Sequence, residues 1–249
     1  MGVVFALCVV VTTAQCLSMS GMGAMPMPGG WMMSMPWLRM CGQGALGALA
    51  SFMFMWSTMT VAMMLPSLAP LLRRYRDACH AAGVPSPDGF AALLSAGYFL
   101  VWLMLGLVVY VAGLVMAGAL MQWPLLARAA PGLAGMVVMV AGALQFTAWK
   151  ARRLVCCRAM PAAKHATVLD ARSAWRYGWR LGFHCVSCCS GMTAILLVTG
   201  VMDLRVMPGV TAAITLERLS PSAHRAAWAA GALTLIAGAT MTILATRVW

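Results

Sequence analysis

Acidic side chains are scarce in this chain: five Asp and Glu among 249 residues. None of them falls within an apolar run. That excludes paired-carboxylate acid–base chemistry at membrane depth, and it disfavours a carrier driven by carboxylate protonation. Charge of either sign is low, at 9% of residues, where soluble domains carry about 25%. A glycine-rich phosphate loop is missing, so the chain supplies no ATP-driven engine. There is no Ser/His/Asp set with members at membrane depth and no histidine pair spaced for a haem.

What is present is apolar: 63% of residues are hydrophobic. No soluble fold of this size hides so much apolar surface, and the composition is that of an integral membrane protein. The net charge of +12 does not point to nucleic acid. There is no soluble domain to carry a binding face, and the basic residues gather in two loops where membrane orientation accounts for them. Their partners are anionic lipid headgroups.

Hydropathy predicts an all-α, polytopic transmembrane bundle in a single domain. Six spans are expected, near 2–17, 44–72, 90–120, 132–150, 179–202 and 226–246. The first is short against the roughly 20 residues a span needs. No basic residue precedes it, which argues against a signal peptide. A start placed downstream of the natural one would account for both features. Pro66 and Pro70 predict a kink or a broken last turn in the second span.

Twelve of the seventeen basic residues lie in loop 73–89, in loop 150–180 and at Arg247. Arg39, Arg128, Arg205, Arg218 and Arg225 fall to the other side. The positive-inside rule then predicts both termini in the cytoplasm of a bacterial inner membrane. Arg172, Arg176 and Arg180, interleaved with Trp175, Tyr177 and Trp179, read as an interfacial lead-in to the fifth span.

Sulfur carries the chemistry. Of nine cysteines, five cluster at 156/157 and 185/188/189, unlike the even framework of a secreted domain. In a helical fifth span, Cys185, Cys188, Cys189 and Met192 share one face. His184 lies on an adjoining face. Thiolates are soft ligands that suit Cu(I); Zn(II) asks for a closed set of four, which would need another segment. The alternative is that small, weakly polar cysteines simply pack helix on helix.

Cys156 and Cys157 follow the fourth span on the same side. One of them could complete the site, since adjacent cysteines rarely chelate one ion together. They could equally be idle or lipid-modified juxtamembrane thiols. In the second span, Trp56, Met59, Met63 and Met64 form a stripe at helical spacing, read either as a thioether path or as core. The outer segment 18–41 holds eight of the 24 methionines, spaced by Gly and Pro that deny it a regular helix. It is either a thioether-rich Cu(I) collector or a loop packed over the bundle.

Three stretches carry a resemblance: Trp56-x-x-Met59-x-x-x-Met63-Met64-x-Pro66, Lys150 through Pro161, and Gly178-x-x-x-Gly182-x-x-Cys185-x-x-Cys188-Cys189. In this order the chain resembles the DUF2182 family, predicted metal-binding integral membrane proteins of unknown function. The family's middle pattern looks like K-x-x-C-L-x-x-C-R. Leu154, Cys157 and Arg158 match it, but Arg153 stands at the first cysteine position, and Ser190 stands where Trp is common.

The reading favoured is a membrane protein that binds a soft metal in copper acquisition, delivery or tolerance. Cys185, Cys188 and Cys189 would be the primary ligands, with Cys157 or Cys156 completing the set and His184 nearby. Met59, Met63 and Met64 would form a thioether relay from the outer methionine loop, and the partner supplied would be a membrane or periplasmic cuproprotein. A membrane thiol–disulfide oxidoreductase is the alternative from another class, and a non-catalytic membrane scaffold is the third.

Overall fold

The computed structural model describes residues 2–21, 25–26, 31–33, 44–158, 170–201 and 203–247. Eight helices are described: α1 (Gly2–Gly21), α2 (Ala45–Ala81), α3 (Pro87–Gln122), α4 (Pro124–Leu144), α5 (Ala148–Arg158), α6 (Ala171–Thr199), α7 (Val206–Leu219) and α8 (Ala223–Arg247). Five of these (α2, α3, α4, α6 and α8) are long and apolar enough to cross a membrane, and α1 contains a shorter apolar helix. The all-helical membrane-type bundle expected from composition is the fold observed. Two short strands, β1 (Met25–Pro26) and β2 (Met32–Met33), pair antiparallel within the methionine-rich segment. Most of that segment lies outside the described residues, including Met22, Met27, Met35 and Met40.

Glycine sets the closest helix contacts. A Cβ on Gly178 of α6 would run into the Leu94 carbonyl of α3, and one on Gly182 would meet the Tyr98 carbonyl at 2.9 Å. The two backbones therefore touch, as small residues permit where no side chain intervenes. Trp56 locks α2 to α3. Its indole Nε1 donates to the Trp102 carbonyl at 2.9 Å, and its ring occupies the space that Gly106 leaves open.

α2 runs unbroken through Pro66 and Pro70 to Ala81, so the break expected there does not occur. Nearby, the Ser67 hydroxyl donates to the Met64 carbonyl at 2.9 Å.

Two elements were not expected. α5 follows α4 after a short turn. α7 occupies the segment read as an outer loop and buries Met207, Val210, Ile214 and Glu217 on one face. Glycine at 200, with φ of 120°, ends α6. The chain then folds back along α6 until Arg218 stands beside Cys189. α8 begins at that depth and packs antiparallel to α4. Gly231 lies against Gly142 and Gln145, and Gly238 against Gly135 and Met139.

α8 therefore leaves toward the end where α4 begins. The charge reading had placed Arg247 beside loop 150–180, on the side of both termini. The packing puts the C-terminal end of α8 at the opposite end of the bundle. The reason is α7, a half-length helix that returns the chain before α8 starts.

Candidate metal centre

Cys185, Cys188, Cys189 and Met192 are all buried, as their shared helical face predicts. Cys185 is fully enclosed at 0% exposure. Its sulfur lies 2.8 Å from the Tyr98 hydroxyl of α3 and 4.0 Å from the Met64 thioether of α2. Cys189 is the central thiol, within hydrogen-bonding reach of both Cys185 and Cys188. The Arg218 guanidinium of α7 stands 3.9 Å from the Cys189 sulfur and donates to the Ser67 hydroxyl of α2 at 3.3 Å. Cys188 also belongs to a buried cluster with Leu154 of α5 and Ala223 of α8. No disulfide joins the described cysteines.

Behind the thiols is a buried ion pair. Lys150 Nζ lies 2.8 Å from a Glu217 carboxylate oxygen and donates to the Cys188 carbonyl at 2.7 Å. Burial works to lower the Lys150 pKa, but Cys188 and Glu217 outweigh it and hold the ammonium above its ordinary value. Burial raises the Glu217 carboxyl, against the opposing pull of Lys150. Each charge of such a pair loses its water, so the geometry and the remaining hydrogen bonds decide its worth; Glu217 Oε1 has no hydrogen-bond partner among the described residues. Here Lys150 binds Glu217 and the α6 backbone together, tying α5, α6 and α7 at the depth of the cysteines. Lys150 and Arg218 also put two positive charges at the depth of the thiols, one on the Cys188 carbonyl and one 3.9 Å from the Cys189 sulfur.

The sequence-predicted residues divide cleanly. Cys185, Cys188, Cys189 and Met64 come together. Met59 and Met63 belong to the same buried core as Cys185, Cys189 and Met192, below Met64 along α2. His184 is half-buried on the adjoining face. The side chains of Cys156 and Cys157 lie outside the described residues, although α5 itself reaches Cys188 through Leu154.

Among the described residues no three His, Cys, Asp or Glu side chains stand as a ready-made metal cage. Counting thioethers as well adds Met64, 4.0 Å from the Cys185 sulfur. Tyr98, Glu217 and Arg218 were not singled out from the sequence, and Lys150 only as part of the family pattern. The signal for Glu217 was present: it continues the Met207, Val210, Ile214 face, where an acid is out of place without a partner.

The described residues form a helical membrane-type bundle that encloses thiols and a thioether, with cations at the same depth. The family model described as PpoB2, copper chaperone, matches residues 53–241, and the chain belongs to that family. The match runs from α2 into α8 and takes in the whole sulfur cluster, while α1 and the methionine-rich segment lie outside it. No curated protein and no solved structure matches the chain.

Proposed function

We propose that this chain is an integral protein of a bacterial inner membrane that holds one Cu(I) ion as cargo and hands it to a membrane or periplasmic cuproprotein. Cys185 and Cys189 supply two thiolates, Met64 supplies a thioether, and Cys188 supplies a third thiolate as copper enters or leaves. Low-coordinate sulfur suits Cu(I), and a set containing a thioether is a poor one for Zn(II). Met63 and Met59 continue the thioether line along α2. Cys157 stands three residues beyond Leu154 in the α5 register, and Cys156 beside it, as candidates for a further sulfur; His184 is a candidate nitrogen on the adjoining face.

The observation that carries this reading is the approach of the Cys185 sulfur of α6 to within 4.0 Å of the Met64 thioether of α2, in a chain of a copper-chaperone family. Copper remains Cu(I) throughout, so no electron acceptor is needed. Purified without oxygen, the protein holds about one Cu(I) per chain by elemental analysis, as a single low-coordinate sulfur site requires. The double variant Cys185→Ser, Cys188→Ser loses it. Copper content unchanged in that variant would refute the site.

A further inference from the structure

A cavity of about 230 Å³ lies where the α4–α5 turn meets the start of α8. Gln145, Lys150, Leu154, Ala223 and Ala227 line it, and the exposed Ser222 and His224 stand at its mouth. Gln145 is 4% exposed, and neither its amide oxygen nor its amide nitrogen has a hydrogen-bond partner among the described residues. A buried amide left without partners pays its full desolvation cost, so a dry, empty cavity is a poor account of this wall. Water fills about 30 Å³ per molecule in the liquid. The space therefore takes several waters, or the reactive arm of a small polar molecule.

Two features say what that molecule is. Leu154 and Ala223 are the residues packed directly on Cys188, so the back wall of the cavity is the single layer covering that thiol. Basic residues flank the lining positions without lining the cavity themselves: Arg225 follows His224, and Arg152 and Arg153 stand between the lining residues Ala151 and Leu154 of α5. The one acid nearby among the described residues, Glu217, is engaged with Lys150, which does line the cavity. Basic helices flanking a passage toward a thiol suit a donor that is both anionic and bound to metal through sulfur.

We propose that this cavity is the port through which copper reaches the buried site, delivered as the Cu(I) complex of a small anionic thiol, with Cys188 the first sulfur it meets. The proposal rests on the copper site argued above. In the exchange, the bond from copper to the donor sulfur breaks as the bond from copper to Cys188 Sγ forms. The Cys188 proton passes to the departing donor thiolate, and copper stays Cu(I). Gln145 keeps the passage wet, and His224 and Arg225 hold the anionic donor at the mouth. Cys189, in reach of Cys188, then draws the ion inward toward Cys185 and Met64.

The test uses the full-length, reduced, copper-free protein in lipid nanodiscs, with two readouts. One is the rate of uptake from Cu(I)–glutathione. The other is the rate at which iodoacetamide alkylates each cysteine, resolved by peptide mass. Cys188 reacts faster than Cys185 and Cys189. Ser222→Trp at the exposed mouth, and Ala227→Phe within, slow both Cys188 alkylation and copper uptake about ten-fold, as an added barrier of roughly 1.4 kcal/mol would. Ala229→Phe, on the exposed side of α8, leaves both rates unchanged.

Cys188 reacting no faster than Cys185, or uptake at the wild-type rate in folded Ser222→Trp, overturns the port. A wild-type protein whose Cys188 is alkylated quickly through the cavity, yet which takes up no copper, overturns the copper reading instead. Fast uptake from a copper-loaded protein donor with none from Cu(I)–glutathione overturns the small-thiol assignment.

Discussion

Glu217 sits one turn beyond Ile214 on the buried face of α7, and a carboxylate there is tolerable only because Lys150 meets it. Removing one charge leaves the other buried and unpaired, at a cost of roughly 3–5 kcal/mol. Glu217→Gln should therefore lower the thermal midpoint of the detergent-solubilised protein by many degrees. The apolar pair Lys150→Met, Glu217→Leu should recover most of that loss, because it buries no charge. Equal midpoints for wild type and Glu217→Gln would mean that the ion pair does not hold α5, α6 and α7 together. The sulfur residues divide by the same logic of contact. Met64 touches Cys185 at 4.0 Å, whereas Met59 shares the core without a described contact to a cysteine. Met64→Leu keeps the volume and removes the thioether. It should weaken Cu(I) binding about ten-fold, or roughly 1.4 kcal/mol, in competition with a chromogenic Cu(I) chelator, while Met59→Leu changes it less. Equal affinities for the two variants would remove Met64 from the ligand set.

Helix-to-helix contact fixes where those residues stand, and the closest one here is between α3 and α6. Gly178→Ala forces a methyl into the Leu94 carbonyl, and neither backbone can give way alone. Overpacking of this kind typically costs 1–3 kcal/mol. It should also move Cys185 relative to Tyr98, so copper binding falls along with the thermal midpoint. Gly118→Ala in α3 is the matched control. Nothing lies within 4 Å of a Cβ there, and the gain in helix propensity is about 1 kcal/mol. A Gly178→Ala protein as stable as Gly118→Ala would show that the two helices stand further apart than described. At this scale the sequence was legible where its signal is periodic. The i, i+3, i+4, i+7 sulfur face of α6 and the six apolar runs were read from spacing and hydropathy alone. α7 was not, because its 14 residues include Glu217 and Arg218 and fall short of a span. The Lys150–Glu217 pairing left no local trace, since the two partners lie far apart in the chain and meet only through the fold-back of α7. Pro66 and Pro70 of α2 predicted a kink or a broken last turn, and of these the break is absent, since the helix continues to Ala81.

The fold-back of α7 decides the layout of the whole molecule. With six simple crossings, loop 150–180 and the C-terminal end of α8 would share a membrane face. With α7 returning to the depth of Cys189, α8 starts beside Gln145 and runs antiparallel to α4. Its far end, roughly 36 Å away at 1.5 Å per residue, emerges with the α3–α4 connection around Trp123. The arrangement also gathers the α4–α5 turn, the α7–α8 turn and the cysteines at one depth, so the candidate site and the cavity beside it depend on it together. This layout can be tested without copper. Single cysteines are placed at Lys164 and after Trp249 in a chain whose cysteines other than Cys185, Cys188 and Cys189 are replaced, and sealed vesicles of one orientation are treated with a membrane-impermeant maleimide. The two positions should label from opposite sides. Labelling of both from the same side would mean that α7 crosses fully. Glu217 could then not lie against Lys150, and the buried pair, together with the sulfur cluster it backs, would have to be rebuilt.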